Sequence, residues 1–146
     1  MTDIEDIGTG LAVAIKAVLN IDERLSALEG DGMQKKCGEA AKANGWHDAY
    51  NSMTDPATRR DHTITKTMLI VSELAEAVEE LRDGHTPTEV YFQLDGKPEG
   101  FSVELADAVI RSYDLAEMVG VDLDSLIEEK LAYNKTRGRM HNGKVV

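Results

Sequence analysis

The chain is poor in the residues on which secreted, membrane and nucleic-acid-binding proteins depend. It has a single cysteine, Cys37, so no intrachain disulfide can form and a reducing cytoplasm is the expected location. The longest uninterrupted apolar run covers only residues 11 to 15, far short of the ~18 residues needed to cross a bilayer. The Met1-Thr2-Asp3 start has no basic signal region, so neither secretion nor membrane insertion is expected. Cations are scarce: 16 Lys and Arg stand against 27 Asp and Glu, a formal charge of −11. Affinity for DNA or RNA comes largely from Lys and Arg neutralising phosphates, so a nucleic-acid polymer is not an expected partner. Phosphates handled by so acidic a chain would arrive with a divalent cation. At 146 residues and 42% hydrophobic content the chain is long enough for one domain with a core, and too apolar for a disordered acidic tail.

What is present is helical periodicity. Ile4, Ile7, Leu11, Ala14, Val18, Ile21, Leu25 and Leu28 alternate at intervals of three and four, a heptad seam. Thr2 and Glu5 fit a capping box before it and Gly30 a stop after it, while Gly8 and Gly10 weaken its first turns. Residues 1–30 thus read as an amphipathic helix, either folded back on its own domain or serving as an oligomerisation arm. Residues 31–146 read as the main domain. Within it the pattern predicts a helix over 32–44 ending at Gly45, then a loop over 47–62 with room for a helical turn. A helix over 63–83 follows, with Gly84 and Pro87 as stop signals. Val90-Tyr91-Phe92 and Asp95-Gly96 suit a short hairpin, the only strand material. Helices over 101–119 and 122–136, parted by Gly120, precede a short basic tail. The expected fold is all-α, a bundle of four or five helices with a loop or hairpin excursion near residues 88–98.

Two of these helices carry a four-residue acidic element, Glu73-Leu74-Ala75-Glu76 and Glu104-Leu105-Ala106-Asp107. Residues three apart share a helix face, so each element offers two carboxylates to one point. Glu73, Glu76 and Glu80 lie within an arc of roughly 60°, with Val71, Leu74, Val78 and Leu81 on the other side. Glu104 and Asp107 likewise oppose Leu105, Val109 and Ala116. One such element is what any solvated acidic face looks like. Two, on helices joined by residues 77 to 103, could converge if packed antiparallel, and four carboxylates repel one another unless a hard cation such as Mg²⁺ sits among them. In the last helix Leu123, Leu126, Ile127 and Leu131 form an apolar stripe, expected to be buried, which Lys130, Asn134 and Arg137 continue on nearly the same azimuth. Lys130 and Arg137 suit a helix C-terminus in any case, and this cationic and amide face also suits phosphate oxygens held by the acidic helices through metal.

This ordered set resembles the MazG-like branch of the all-alpha nucleoside triphosphate pyrophosphohydrolases, which is marked by EExxE, a spacer and ExxD. The matching residues are Ser72-Glu73-Leu74-Ala75-Glu76, a spacer, and Glu104-Leu105-Ala106-Asp107. Lys97-Pro98-Glu99-Gly100 precedes the second element, and Lys130, Asn134, Arg137 and His141-Asn142-Gly143-Lys144 follow it. The resemblance spans roughly residues 32 to 144. It implies a helical bundle in which Glu73, Glu76, Glu104 and Asp107 hold Mg²⁺, with Mn²⁺ as a possible substitute, and Lys130, Asn134 and Arg137 contact substrate phosphates. It also implies hydrolysis of an NTP or dNTP between its α and β phosphates, giving a nucleoside monophosphate and pyrophosphate. Ser72 departs from the pattern: the family's leading glutamate, which helps to activate water, is missing, and either Glu73 or Glu76 could take that part. A non-catalytic nucleotide- or metal-binding bundle is the other reading that Ser72 leaves open.

Further candidates lie outside the motif. Trp46 and His47 follow a helix-ending glycine and suit either stacking on a nucleobase or anchoring a core. Tyr91 and Phe92 suit closing a base pocket or covering the bundle. His62, His85 and His141 show no metal-ligand spacing, so no zinc site is expected. Cys37 has no catalytic partner and reads as a small buried hydrophobe. The heptad seam and the narrow amphipathic helices point to a homodimer or homotetramer.

Overall fold

The computed structural model describes residues 32–137. The N-terminal heptad segment and the tail with His141 and Lys144 lie outside the described residues. Five helices and one two-stranded hairpin make up the described chain: α1 (Met33–Ala43), α2 (Asp48–Ser52), α3 (Pro56–Arg82), β1 (Tyr91–Phe92), β2 (Pro98–Glu99), α4 (Phe101–Val119) and α5 (Leu123–Thr136). The all-α expectation holds. None of these helices is long and apolar enough to cross a membrane.

The segment over 47–62, expected as a loop, is instead α2 and the first two turns of α3. Its residues lack apolar periodicity, but its helix-start chemistry is complete. Asp55 is the N-cap of α3 and accepts from the Thr58 N–H at 2.9 Å, while Pro56 takes the first helical position, where its missing N–H costs nothing. Thr63, Thr65 and Thr67 then donate their hydroxyls to the carbonyls of Arg59, Asp61 and Thr63, one turn back, which satisfies these polar side chains inside a helix.

α4 is the central element, packed against both α1 and α3. Small side chains occupy these seams: Cys37 and Ala41 on α1, Ala77 on α3, Ala108 and Ala116 on α4 are all buried. At Gly38 the helices come so close that a Cβ would lie 2.2 Å from Glu117 Cγ. Gln34 ties α1 to the α4–α5 junction, donating to Val121 O at 2.7 Å and accepting from Leu123 N–H at 2.8 Å. The hairpin is antiparallel, with Tyr91 opposite Glu99 and Phe92 opposite Pro98. It feeds into α4 through Gly100 at φ +128°, where a Cβ would stand 2.4 Å from Glu89 O, so only glycine fits.

The apolar stripe of α5 does not have the burial expected of it: Leu126, Ile127 and Leu131 are exposed. α3 is turned the same way. Its Val71, Leu74, Val78 and Leu81 are exposed, whereas Glu73 and Ala77 are buried. Leu105 and Val109 of α4 are exposed as well, opposite a buried Glu104. No large side chain is fully buried among the described residues.

Candidate metal centre

Helix spacing predicts that Glu73 and Glu76 share one face of α3, and the packing of α3 on α4 brings Glu104 to the same place. Oxygens of Glu73, Glu76 and Glu104 all lie within 4.8 Å of one another. Glu73 and Glu104 are only 5% and 3% exposed, while Glu76 reaches solvent. Asp107, one turn beyond Glu104 and half-buried, stands outside that tight group, yet its charge acts on Glu104. The solvated-face reading of the two acidic elements therefore fails for Glu73 and Glu104.

Crowding buried carboxylates has an electrostatic consequence. Burial first, then the charge of Glu76, a hydrogen bond with Glu99, and the charges of Asp107 and Glu73 together push the Glu104 carboxyl up to about 7. Arg111 meets part of this charge, its Nε lying 2.7 Å from Glu73 Oε1. Glu99, at the end of β2, is a further buried carboxylate beside Glu104. Lys97 Nζ at 2.8 Å holds Glu99 below the usual glutamate range, and Gln93 also donates to it. The donor set around Glu73, Glu76 and Glu104 is all oxygen and anionic, without imidazole or thiolate. Such a set fits Mg²⁺ or Mn²⁺ and does not fit a soft metal.

Neither Arg111 nor Glu99 was among the residues expected from the sequence. Arg111 had a signal, being seven residues after Glu104 and so on the same face two turns on. Glu99 had none beyond its place in Lys97-Pro98-Glu99-Gly100, because hairpin pairing is what sets it beside Glu104. Farther along α3, Glu80 accepts from Tyr91 OH at 3.0 Å through Oε1, and its buried Oε2 has no partner. Ser72 donates its hydroxyl to Leu69 O at 2.7 Å, within its own helix.

The expected substrate-contacting residues fall in different places. Lys130, Asn134 and Arg137 are exposed on and just after α5, and no hydrogen bond or ion pair joins them to the carboxylates; Lys130 Nζ lies 5.1 Å over the Tyr133 ring. His47 is 2% exposed and bonded through Nε2 to Asp114 Oδ1, a buried pair that ties the α1–α2 turn to α4. Trp46 is 53% exposed and is not a core residue. It lines a half-open cavity of about 300 Å³ between α1, α3 and α4, together with Asn44, Lys66, Arg111 and Asp114. Cys37 also borders this cavity, and burial raises its thiol pKa, which keeps it in the inert protonated form. The chain matches no family model, no curated protein and no solved structure.

Proposed function

We propose that the chain hydrolyses a nucleoside triphosphate, NTP or dNTP, to a nucleoside monophosphate and pyrophosphate in a Mg²⁺-dependent reaction. The observation that carries this reading is the convergence of Glu73, Glu76 and Glu104 within 4.8 Å from two helices. Three mutually repelling carboxylates in a protein of charge −11 make a site for a divalent cation, and a phosphate substrate supplies the remaining oxygens. When bound, the cation neutralises the phosphates and polarises the phosphorus toward attack.

The protein residues divide the remaining work. Arg111 fixes the Glu73 carboxylate in place, so Glu73 acts as an oriented ligand. Glu76, exposed and without a cationic partner among the described residues, is the better placed to orient the attacking water and take its proton. Water oxygen forms a bond to the α-phosphorus, the bond to the bridging oxygen breaks, and pyrophosphate leaves. Asp107 adds a further carboxylate on the same side of α4.

Assembly belongs to the same proposal. The protomer forms a homodimer or homotetramer in which the exposed stripe Val71, Leu74, Val78 and Leu81 of α3 is covered by another copy. A reducing cytoplasm suits a chain whose single cysteine is buried and unpaired.

The test is product analysis. With Mg²⁺ and a panel of ordinary and modified triphosphates, the expected products are equimolar monophosphate and pyrophosphate, abolished by EDTA. Release of orthophosphate and diphosphate instead would contradict the assigned bond. The second reading, a bundle that binds without turnover, draws on Ser72, whose hydroxyl is spent on Leu69 O where the family carries a glutamate. Tight nucleotide binding with no product of either kind would establish that reading in place of the first.

A further inference from the structure

The carboxylate centre accounts for a cation, and the cavity beside it accounts for something else. The cavity between α1, α3 and α4 has a lining of two chemical kinds. Part is apolar, supplied by Trp46, Ala41, Leu69 and Ile110. Part is cationic, supplied by Lys66 and Arg111. Lys66 is half-buried, and among the described residues it has no ion-pair or hydrogen-bond partner. In a chain with 11 more acids than bases, a half-buried lysine without an ion pair among the described residues is out of keeping with its surroundings.

Arg111 belongs to both regions, lining the cavity while its Nε holds Glu73. That leaves the remaining guanidinium N–H groups for an acceptor on the cavity side. Lys66 lies seven residues before Glu73 on α3, hence on the same face and ~10 Å back along the axis. Lys66, Arg111 and Glu73 therefore follow one another from the cavity to the carboxylates. A molecule matching this sequence of surfaces has a flat aromatic end, then an anionic group, then a part held through metal.

We infer that the base of the nucleotide enters this cavity against Trp46 and that Lys66 and Arg111 grip its α-phosphate, so that the phosphate-binding residues of this protomer are these two and not Lys130, Asn134 and Arg137. The assignment rests on the nucleotide reading above. Its chemistry is charge-assisted hydrogen bonding at a half-enclosed site, where the two cations face oxygens less screened than on the surface. Asp114, buried at the cavity wall and held by His47, adds one carboxylate acceptor for an N–H edge of the base.

The chain has one tryptophan, and it borders this cavity, so Trp46 emission reports on the cavity's surroundings. The probes are a nucleoside monophosphate and an α,β-methylene triphosphate with Mg²⁺, titrated by fluorescence and calorimetry on the full chain. Both are expected to change Trp46 emission, and Lys66→Met to weaken both roughly tenfold or more, as loss of a charged hydrogen bond does. Lys66→Arg keeps most of the affinity, and Lys36→Met, which removes one charge from an exposed site on α1, changes it less than twofold. Wild-type affinity in Lys66→Met, a larger loss in Lys130→Met, binding without any change in Trp46 emission, or no binding to the wild type would each overturn the inference. Lys66-dependent monophosphate binding in a protein that releases no pyrophosphate would leave the cavity assignment standing and remove hydrolysis. Pyrophosphate release with an unchanged KM in Lys66→Met would do the reverse.

Discussion

Glu104 is the residue at which the electrostatics of this protein can be read most directly. Its carboxyl titrates at about 7 in the folded chain against an ordinary 4.5. Between those values the folded state keeps a proton that the unfolded state has released, so stability from this group is full below pH 4.5 and falls as pH rises toward 7. Thermal unfolding in EDTA is expected to show a lower Tm at pH 7.5 than at pH 5.5, and Glu104→Gln to flatten that difference. An undiminished pH trend in Glu104→Gln would contradict the account of its environment. Mg²⁺ should reverse the trend, because metal binding requires the deprotonated form and gains strength as pH rises. Arg111 is the neighbouring test. Removing it in Arg111→Met leaves Glu73 buried and unpaired beside two other carboxylates, and the metal-free protein should lose stability that added Mg²⁺ restores; equal loss with and without Mg²⁺ would mean that packing alone is at stake. Glu73, Glu76 and Glu104 were legible in the sequence because a three-residue spacing on a helix is a geometric statement. Glu99 was not, since its neighbour is set by a hairpin, and Lys66 was not, since nothing in a lone lysine on a polar helical stretch marks it as partnerless.

At the scale of elements, helix limits followed sequence where caps and periodicity agreed and departed from it where they did not. α4 runs over Phe101–Val119 as its glycine boundaries foretold, whereas α3 starts at Pro56, seven residues before its apolar rhythm begins. Asp55-Pro56 was the available signal, and the polar composition of 56–62 obscured it. Which face each helix buries could not be read from hydrophobicity, because α3 and α4 meet through Ala77, Ala108 and two glutamates. The α1–α4 contact has its own test at Gly38. Alanine there gains helix propensity but drives a Cβ to 2.2 Å from Glu117 Cγ. Overpacking outweighs propensity, and a net loss of about 1 kcal/mol in denaturant unfolding is expected; a stabilised variant would show that the helices are farther apart than described.

At the scale of the whole molecule, the described residues keep few side chains out of water. Its buried apolar set among the described residues is Cys37, four alanines and Met118, while Val71, Leu74, Val78 and Leu81 of α3 and Leu126, Ile127 and Leu131 of α5 stand exposed. Stable soluble protomers seldom leave such continuous apolar faces in water. Val71→Lys separates the two explanations. In a monomer it should change stability by less than about 0.5 kcal/mol, as surface substitutions do, whereas in the proposed assembly it should lower the sedimenting mass. A wild-type protein that sediments as a monomer at micromolar concentration would contradict self-association outright. The heptad pattern of residues 1–30 was the clearest feature of the sequence, and it lies outside the described residues, so it bears on this question only through a truncation compared by the same measurement.

The proposed chemistry depends on Glu73, Glu76 and Glu104 forming one cation site, and calorimetric titration of Mn²⁺ into the metal-free full chain tests that most directly. One tight site per chain, absent in Glu76→Ala with the fold retained by circular dichroism, is the expected result. Equal Mn²⁺ binding by the wild type and Glu76→Ala, or none by either, would contradict it.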